Sequence, residues 1–456
     1  MWRLLACSVI ATVLMADAAA AAPPVSPNIV VLLADDLRAD CLGTAGHPLL
    51  NTPHIDQLAA EGVLFKNAFV TTSICCISRA CFLTGRYARN HNVADFATPL
   101  TPELLAATYP AVLHRAGYYT GCFGKWGIGG QPPHEVFDVW DAWGGQGEFF
   151  HEVGAERVHN SEFLTRRTAN FLRDRPPTKP FCLLVYYKSP HEPYQPDPRD
   201  AELFRDATLE RPATYTDRHF DALPEFIRQS EGRTRAMKAH ATPARYQEFV
   251  KQYLRCIAGV DRSVGAIRQL LDELKLADNT IVVFASDNGF LLGEHGLSHK
   301  WLMYEESIRI PLIIRDPRLA EASSGRRLDP LVLNIDLAPT LLDLAGAAIP
   351  KDTDGRSLKP LLAGEGVPWR TDFFYEHHFH YGGKIPRTEG VRTTDWKYVT
   401  YFDVDRPFEE LYDLQHDPHE EHNLAGDVAH HERLETLRTR YREYRAQFGP
   451  PVLPAQ

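Results

Sequence analysis

The segment Asn28-Ile29-Val30-Val31-Leu32-Leu33-Ala34 is a continuous apolar run that ends in the acidic pair Asp35-Asp36. An unbroken run of this length is typical of a strand that is buried on both faces of a parallel sheet. Two later runs, Phe181 to Tyr187 and Thr280 to Ala285, have the same character and also end in polar residues. Ligands of open α/β sheets bind at the carboxyl ends of the strands, so we expect these polar residues to share one edge.

Helical patterns alternate with the strands. Residues Asn51 to Glu61 form one, and the apolar residues of Tyr246 to Leu276 recur with a period close to 3.6. Ile335 to Ala345 is a shorter amphipathic segment. This alternation predicts an α/β fold with a central, mostly parallel mixed sheet sandwiched by helices. Residues 192–243 are polar and rich in proline, and we interpret them as an excursion from the core.

The composition changes at both ends of the chain. Residues 1–22 contain Arg3, an apolar stretch and a series of small residues, the pattern of a cleaved signal peptide. The apolar stretch is too short to span a bilayer comfortably, although an uncleaved anchor is an alternative. Residues 25–365 are predicted to form the main domain. Residues 366–456, with aromatic and Thr-rich runs and a charged helix from His431 to Phe448, are predicted to form a smaller α+β domain.

The overall charge limits the classes of partner. Of the 456 residues, 44% are hydrophobic and 24% are charged, which is ordinary for a globular protein. The formal net charge of -10 argues against a nucleic-acid-binding protein. It does not exclude an anionic substrate, because a few lysines in a cleft can outweigh the global charge locally. No membrane span is predicted beyond the N-terminus, and we expect an exported protein: periplasmic or secreted, or lysosomal or extracellular in a eukaryote.

Eight cysteines are present, of which Cys7 falls in the predicted signal peptide. Seven remain, and an odd number in an exported chain leaves at least one thiol unpaired or modified. Spacing does not assign any pair. Cys122 and Cys182 lie in apolar surroundings that are typical of buried thiols.

A second decisive stretch is Cys75-Cys76-Ile77-Ser78-Arg79-Ala80-Cys81-Phe82-Leu83-Thr84-Gly85-Arg86. Taken alone, Cys75-Cys76 would be a disulfide or a pair of buried thiols. The stretch resembles the motif C-x-P-S-R-x-x-x-x-T-G-R of the type I sulfatases, a formylglycine-dependent family of the alkaline-phosphatase-like superfamily. With the matches described below, and with Glu410-Leu411-Tyr412-Asp413-Leu414 and Asn423-Leu424 near the end, the resemblance extends from Asn28 to about Leu424. It implies that residues 25–365 form a catalytic sulfatase domain.

The resemblance implies a covalent mechanism at position 75. A formylglycine-generating system would oxidise Cys75 to an aldehyde, which is then hydrated. One hydroxyl of the hydrate would attack sulfur to form a sulfate ester, and the other would collapse to release sulfate. Arg79 would hold the hydrate in place. The implied activity is hydrolysis of sulfate esters, and we expect the partner to be a sulfated sugar or glycan.

Asp35, Asp36, Asp287 and Asn288 supply hard oxygen ligands from two strand ends. Crowded carboxylates repel one another unless a cation lies among them. All-oxygen ligation suits Ca²⁺ or Mg²⁺ better than zinc. Alone, an acidic pair after a strand is most often a solvated loop end or a cap. The resemblance implies that these four residues bind the metal, Ca²⁺ by expectation and Mg²⁺ as the alternative, with residue 75 completing the shell.

Further matches imply a sulfate-binding set. Gly124-Lys125-Trp126 resembles the Gly-Lys-Trp-His element of the family, and Ser189-Pro190-His191-Glu192-Pro193 resembles its Pro-His-x-Pro element. Lys125 and Lys300 would bind the sulfate and offset the charge of the transition state. His191 would bind sulfate or protonate the leaving oxygen.

Other residues are candidates for contact with the substrate. His295 and His299 are second choices for the leaving-group acid, and His295 is a candidate substrate ligand. A basic, aromatic-flanked loop in the C-terminal domain is predicted to contact a sulfated sugar, with a solvated loop as an equal alternative. Its residues are His377, His378, His380, Lys384 and Arg387.

Two positions depart from the family pattern. Ile77 replaces the proline that the modifying enzyme commonly reads, and Gly127 replaces a histidine near the nucleophile. They leave two alternatives to an active sulfatase. One is a catalytically silent sulfatase-like protein that binds sulfated glycans, which the retained charged cluster disfavours. The other is a hydrolase of phosphate or phosphonate esters, and the histidine-rich zinc ligands expected of a phosphatase are missing from the pattern.

Overall fold

A computed structural model describes residues 26–129, 133–319 and 324–450. The predicted signal peptide, residues 1–22, lies outside the described residues. The strands are β1 (Asn28–Ala34), β2 (Val63–Phe65), β3 (Ala68–Phe69), β4 (Tyr119–Lys125), β5 (Val139–Trp143), β6 (Phe150–Val153), β7 (Glu156–His159), β8 (Phe181–Tyr186), β9 (Thr280–Ser286), β10 (Leu291–Leu292), β11 (Ser298–His299), β12 (Leu312–Arg315), β13 (Arg326–Leu328), β14 (Val332–Leu333), β15 (Asp372–His377), β16 (Thr388–Thr393), β17 (Trp396–Tyr401) and β18 (Phe408–Asp413).

The helices are α1 (Pro53–Glu61), α2 (Cys75–Thr84), α3 (Ala88–His91), α4 (Pro102–Ala107), α5 (Tyr109–Arg115), α6 (Asn160–Asp174), α7 (Asp217–Ala222), α8 (Glu225–Arg228), α9 (Glu231–Ala239), α10 (Pro243–Glu273), α11 (Glu305–Ile308), α12 (Leu337–Leu344), α13 (Lys359–Leu362) and α14 (His431–Phe448). Among the helices of the described ranges, none combines the length and the apolar character needed to cross a membrane.

In the described part of the chain, eight strands form one sheet in the order β13-β2-β12-β9-β1-β8-β4-β5. The strands from β9 to β5 are parallel, and β12 runs antiparallel between β9 and β2. β1 lies at the centre, with Ala34 opposite Ser286 of β9 and Leu33 opposite Tyr186 of β8. The carboxyl ends of three strands therefore meet at one edge, together with their polar continuations.

β1 is apolar along its whole length because both of its faces are covered. Its alternate residues pack into two different cores, Ile29, Val31 and Leu33 into one and Val30, Leu32 and Ala34 into the other. α10 contributes to the second core, and α2 and α12 contribute to the first. Helices thus cover both faces of a mostly parallel sheet, which confirms the predicted fold class.

The C-terminal part contains a separate antiparallel sheet of β15, β16, β17 and β18 in sequential order. α14 packs on it and buries Leu434, Leu437 and Tyr444. This sheet and helix confirm the smaller α+β unit. The ring centroids of Phe69 and Phe373 lie 5.1 Å apart, so this unit packs directly on the main one. The division between residues 365 and 366 stays a prediction.

Residues 192–243 contain α7, α8 and α9 and no strand. The predicted excursion is nevertheless packed, because Leu223 and Ile227 are buried in the main core. α9 lies beside the loop of the C-terminal unit, where the N–H of Glu231 donates to the carbonyl of Lys384 at 2.8 Å.

The seven cysteines of the described residues are all buried, and none forms a disulfide. Burial raises the pKa of thiols such as Cys122 and Cys182 above the usual range. These side chains therefore behave as small apolar residues of the core, as predicted for Cys122 and Cys182.

Candidate active site

Three carboxylates and a thiol converge at the carboxyl edge of the large sheet. Asp35 and Asp36 follow β1, Asp287 follows β9, and Cys75 begins α2. All four side chains are buried, and their potential ligand atoms lie within 4.8 Å of one another. The register that sets the ends of β1 and β9 side by side brings these acidic residues together.

The backbone at Asp36 is held by contacts from two other elements. Asp36 has a φ of +69°, a left-handed conformation that is uncommon for a residue with a side chain. Its N–H donates to Asp287 Oδ1 at 3.1 Å, and the hydroxyl of Tyr253 in α10 donates to its carbonyl at 2.8 Å. The same hydroxyl accepts from the N–H of Arg38 at 3.0 Å. Backbone strain that the surroundings hold in place is typical of functional sites.

Cys75 is the first residue of α2, so it lies at the positive end of the helix dipole. Its Sγ lies 3.3 Å from Asp35 Oδ1 and 3.9 Å from Asp36 Oδ1. Burial and the charge of Asp35 raise the pKa of this thiol well above its usual range. Because the thiolate is the nucleophilic form of cysteine, the unmodified Cys75 is a poor nucleophile in this position.

Three buried cations face the carboxylates. The contacts are Arg79 Nε to Asp287 Oδ2 at 2.9 Å, Lys125 Nζ to Asp35 Oδ2, and Lys300 Nζ to both carboxylate oxygens of Asp36. Arg79 lies about one helical turn after Cys75, which places both side chains on one side of α2. Three cations thus lie together with three carboxylates in a buried place, where the N–H groups of the cations can bind an anionic group.

The carboxyl groups are too crowded to ionise freely. Burial and the charge of Asp35 raise the pKa of Asp287 to about 7, against the opposing effect of Arg79. Burial acts in the same direction on Asp35, but Lys125 and other cations outweigh it and the pKa of Asp35 lies well below its usual range. A further cation would relieve this repulsion.

The donor set fits a hard divalent cation. Three carboxylates provide oxygen atoms, and Oδ1 of Asn288 is buried with no hydrogen-bond partner among the described residues. The Nδ2 of the same amide donates to Asp36 Oδ1 at 2.6 Å, so the amide group already belongs to the cluster. Oxygen ligands of this kind suit Ca²⁺ or Mg²⁺.

His191 is more exposed than the carboxylates and cations around it. Its side chain is 12% exposed, and its Nε2 lies 3.7 Å from Asp36 Oδ2. Nδ1 contacts the carbonyl of Glu192 at 2.6 Å. Burial, together with Lys300 and Lys125, lowers the pKa of His191 to about 3, so the imidazole is neutral. His191 therefore lies between the buried cluster and solvent.

The other two histidines differ in position. His295 stacks on Tyr304, with ring centroids 4.3 Å apart, and the structure does not bring it into the carboxylate cluster. His299 precedes Lys300 and lies 2.7 Å through Nε2 from Glu192 Oε1. His299 is thus next to Lys300 in the chain and contacts Glu192, the neighbour of His191.

The basic loop of the C-terminal unit is partly buried. His377 and His378 are buried, and His378 Nε2 lies 2.9 Å from Glu389 Oε1, within a network of ion pairs. Arg387 is partly exposed, donates from Nε to the carbonyl of His378 at 3.0 Å and lies 3.4 Å from Asp403. His377 and His378 thus have structural surroundings, while Arg387 is partly exposed next to them.

Gly127, where the family pattern has a histidine, lies directly beside the cations. A Cβ at this position would lie 3.4 Å from Cδ of Arg79 and 3.6 Å from Cε of Lys125. Its φ of +74° is one that glycine adopts without strain. The position thus faces the cluster but contributes no side chain to it.

Sequence reasoning assigned no role to Tyr253 or Lys188. Tyr253 is separated from its partner Asp36 by 217 residues, and its position in α10 fits the apolar period as well as a phenylalanine would. Lys188 had a sequence signal, since it lies between the end of β8 and His191. Its burial could not be seen before the fold was known.

Comparisons with known proteins agree on one family. The family model described as Sulfatase matches residues 27–347, and one described as N-sulphoglucosamine sulphohydrolase, C-terminal, matches residues 293–447. An N-acetylglucosamine-6-O-sulfatase of Bacteroides thetaiotaomicron is 30% identical over 492 residues, which cover 92% of this chain and 87% of the relative.

Solved structures with more than one activity are similar to this chain. One that is described as a complex with its substrate D-glucosamine-2-N,6-O-disulfate has a TM-score of 0.83 and 28% identity, covering 93% of this chain and 98% of the other. A phosphonate monoester hydrolase from Silicibacter pomeroyi has a TM-score of 0.79 and 25% identity, covering 93% and 96%. The family model matches most of the chain, and the matched range includes the cysteine motif at residues 75–86. The chain therefore belongs to the sulfatase family and is a sulfuric ester hydrolase.

Proposed function

We propose that this enzyme hydrolyses a sulfate ester on a sulfated carbohydrate, with residue 75 as nucleophile after conversion of Cys75 to formylglycine. The observation that carries the proposal is the position of Cys75, 3.3 Å from Asp35 and surrounded by buried cations. The cysteine motif that the chain shares with the formylglycine-dependent family supports the modified residue, because hydrated formylglycine supplies a hydroxyl nucleophile.

Asp35, Asp36, Asp287 and Asn288 are proposed to hold Ca²⁺ or Mg²⁺ together with residue 75. Bound there, the ion supplies Lewis-acid polarisation of a sulfate oxygen. The support is the density of buried oxygen donors and the raised pKa of Asp287.

The cations and His191 are proposed to act on the sulfate. Lys125 and Lys300 bind its oxygens and offset the charge that builds in the transition state. Arg79, held by Asp287, orients residue 75 along α2. His191, on the solvent side, donates a proton to the leaving oxygen. A bound sulfate dianion or ester beside it raises its pKa from the low value that burial and the lysines impose.

Sulfated glucosamine is the first candidate substrate. The Bacteroides relative is named for N-acetylglucosamine 6-O-sulfate, and the solved neighbour holds a glucosamine disulfate. The chain is proposed to be exported and to be a substrate of a formylglycine-generating system. The domain limits 25–365 and 366–456 are part of the same proposal. The predicted contact of His295 with substrate stays a prediction.

Parallel assays of three esters separate the candidate activities. We expect 4-nitrophenyl sulfate to be hydrolysed with a kcat/KM about tenfold or more above those of 4-nitrophenyl phosphate and a phenylphosphonate monoester. The reason is that the charges and donors of the site match a sulfate ester better than the other two esters. The phosphonate ester is included because a phosphonate monoester hydrolase of known structure shares the fold of this chain. A preference for phosphonate would favour the second function. Binding of sulfated sugar without turnover would indicate the catalytically silent alternative.

Arg387→Ala is expected to raise the KM for N-acetylglucosamine 6-sulfate roughly tenfold with little change in kcat, because a charged hydrogen bond to a sugar is lost. Steady-state kinetics measure both constants. Arg406→Ala, at an exposed position of the same C-terminal unit, is the matched control. An unchanged KM in Arg387→Ala would remove this residue from the substrate site.

A further inference from the structure

Lys188 is a buried cation to which the reaction described above gives no role. It follows β8 and is only 3% exposed. Within the described ranges, its Nζ makes one hydrogen bond, to the carbonyl of Gln146 at 3.0 Å, and lies 4.9 Å from the centroid of the Phe149 ring. An ammonium group has three N–H donors, so two of them lack an acceptor among these residues.

No carboxylate of the described residues lies within ion-pair distance of Lys188. The three acidic side chains of the active site already have partners, Asp35 with Lys125, Asp36 with Lys300 and Asp287 with Arg79. Lys188 is therefore an additional positive charge beside a charge-balanced cluster. Burial lowers its pKa, as expected for a cation that lacks a counterion. Such a group is costly to bury unless it serves an anionic ligand.

A second donor is Trp143, the last residue of β5, three residues before the Gln146 that contacts Lys188. The indole Nε1 of Trp143 is buried and has no hydrogen-bond partner in the described part of the chain. A Cβ on Gly147 would lie 2.0 Å from this nitrogen, so the indole N–H lies against the loop whose preceding residue, Gln146, contacts Lys188. The Lys188 ammonium and the Trp143 indole N–H are thus two donors without a full set of acceptors, and both lie against the segment 143–149.

The sheet register places these donors on either side of a sulfate-binding lysine. Trp143 in β5 is opposite Lys125 in β4, and Tyr186 in β8, two residues before Lys188, is opposite Gly124. Adjacent strands lie about 4.8 Å apart, so the backbone of Trp143 lies about one strand spacing from that of Lys125, and Lys188 follows the strand on the other side of β4. The charges of Asp35, Lys125 and Asp36 act on the Lys188 ammonium, so Lys188 lies near the active site.

We propose that Lys188, assisted by the indole N–H of Trp143, binds a second sulfate group of the substrate, distinct from the one that is hydrolysed. The inference rests on the proposed function and deepens it, because it makes multiply sulfated sugars the preferred ligands. A dianionic sugar supplies the acceptor oxygens that the Lys188 ammonium lacks. The enzyme then recognises the sulfation pattern as well as the scissile ester.

Calorimetric titration of the Cys75→Ala protein, which binds without turnover, tests the inference. The ligands are glucosamine-2-N,6-O-disulfate, N-acetylglucosamine 3,6-disulfate and N-acetylglucosamine 6-sulfate. We expect at least one disulfate to bind roughly tenfold or more tightly than the monosulfate. Adding Lys188→Met removes that difference, and Lys188→Arg retains most of it. Lys179→Met, an exposed lysine at the opposite end of β8, is the matched control and leaves all affinities unchanged.

Steady-state kinetics of the active enzyme give an independent readout. Lys188→Met raises the KM for the preferred disulfate by a factor several times larger than any change in the KM for 4-nitrophenyl sulfate. Equal losses on all substrates would overturn the inference, since Lys188 would then hold the scissile sulfate or the loop. Equal affinity of the unsubstituted site for mono- and disulfates would overturn it as well, without any lysine variant. If no sulfate ester is hydrolysed by the parent enzyme, the proposed function itself fails.

Discussion

Cys75→Ala loses sulfate-ester hydrolysis by about four orders of magnitude or more, because the nucleophile is removed while the cations and carboxylates remain. The residual activity reflects binding and electrostatic stabilisation alone. Initial rates with 4-nitrophenyl sulfate measure the loss. Cys76→Ala, the adjacent buried thiol, is the matched control and keeps most of the activity, since its side chain packs in the core. Full turnover by Cys75→Ala would exclude position 75 as the nucleophile.

Mass spectrometry of the active protein tests the chemistry at the same position. Trypsin releases a peptide from Asn67 to Arg79 that contains Cys75 and Cys76. We expect this peptide to accept one thiol-alkylating group instead of two, and to react with an aldehyde-specific hydrazide. Conversion must proceed with Ile77 in the position that usually holds proline. Two alkylated thiols in fully active protein would contradict the mechanism.

Removal of divalent cations is expected to lower kcat/KM about 100-fold or more, because several kcal/mol of transition-state stabilisation are lost. Chelation followed by titration with Ca²⁺ or Mg²⁺ identifies the ion that restores activity. The melting temperature falls in parallel, since an ion at 100 times its Kd stabilises the fold by about 2.7 kcal/mol. Activity that survives complete chelation would contradict a metal-dependent reaction.

Asp287→Asn shows the same loss without chelator, because it removes one ligand charge and keeps the side-chain shape. Asp278→Asn, exposed beside the amino end of the same strand, is the control. In the metal-free protein Asp287 has a pKa of about 7, so a proton competes with the ion below that pH. The rise in melting temperature caused by Ca²⁺ is therefore larger near pH 8 than near pH 6. An equal rise at both would indicate that Asp287 is not a ligand.

The fold could be predicted because the spacing of apolar residues along the chain shows which faces of a strand or helix are buried. The unbroken run Asn28 to Ala34 predicted a strand covered on both faces, and its alternate residues do enter two cores. The helix predicted from Tyr246 is present as Pro243–Glu273, and Thr242 caps its start by accepting from the N–H of Arg245. The apolar period predicted the helix. The cap at Thr242 makes the helix begin at Pro243, three residues before the first apolar residue of the pattern.

The site could be predicted only in part. The convergence of Asp35 and Asp287 followed from two strand ends on one edge, which parallel pairing enforces. The position of His295 could not be predicted, because its own backbone is left-handed, with a φ of +55°, in a turn between Gly293 and Gly296. The burial of Lys188 and the contact of Tyr253 with Asp36 depend on packing between elements far apart in sequence. Spacing along the chain contains no information about such contacts.

The unpaired state of the described cysteines bears on how the enzyme can be made. No disulfide joins distant parts of the described chain, so tertiary structure there depends on non-covalent packing and polar contacts. Folding then needs no oxidant and no disulfide isomerase. A reducing cytosol and an oxidising periplasm are equally suitable for this folding, so the host is chosen for its ability to convert Cys75 and not for disulfide formation.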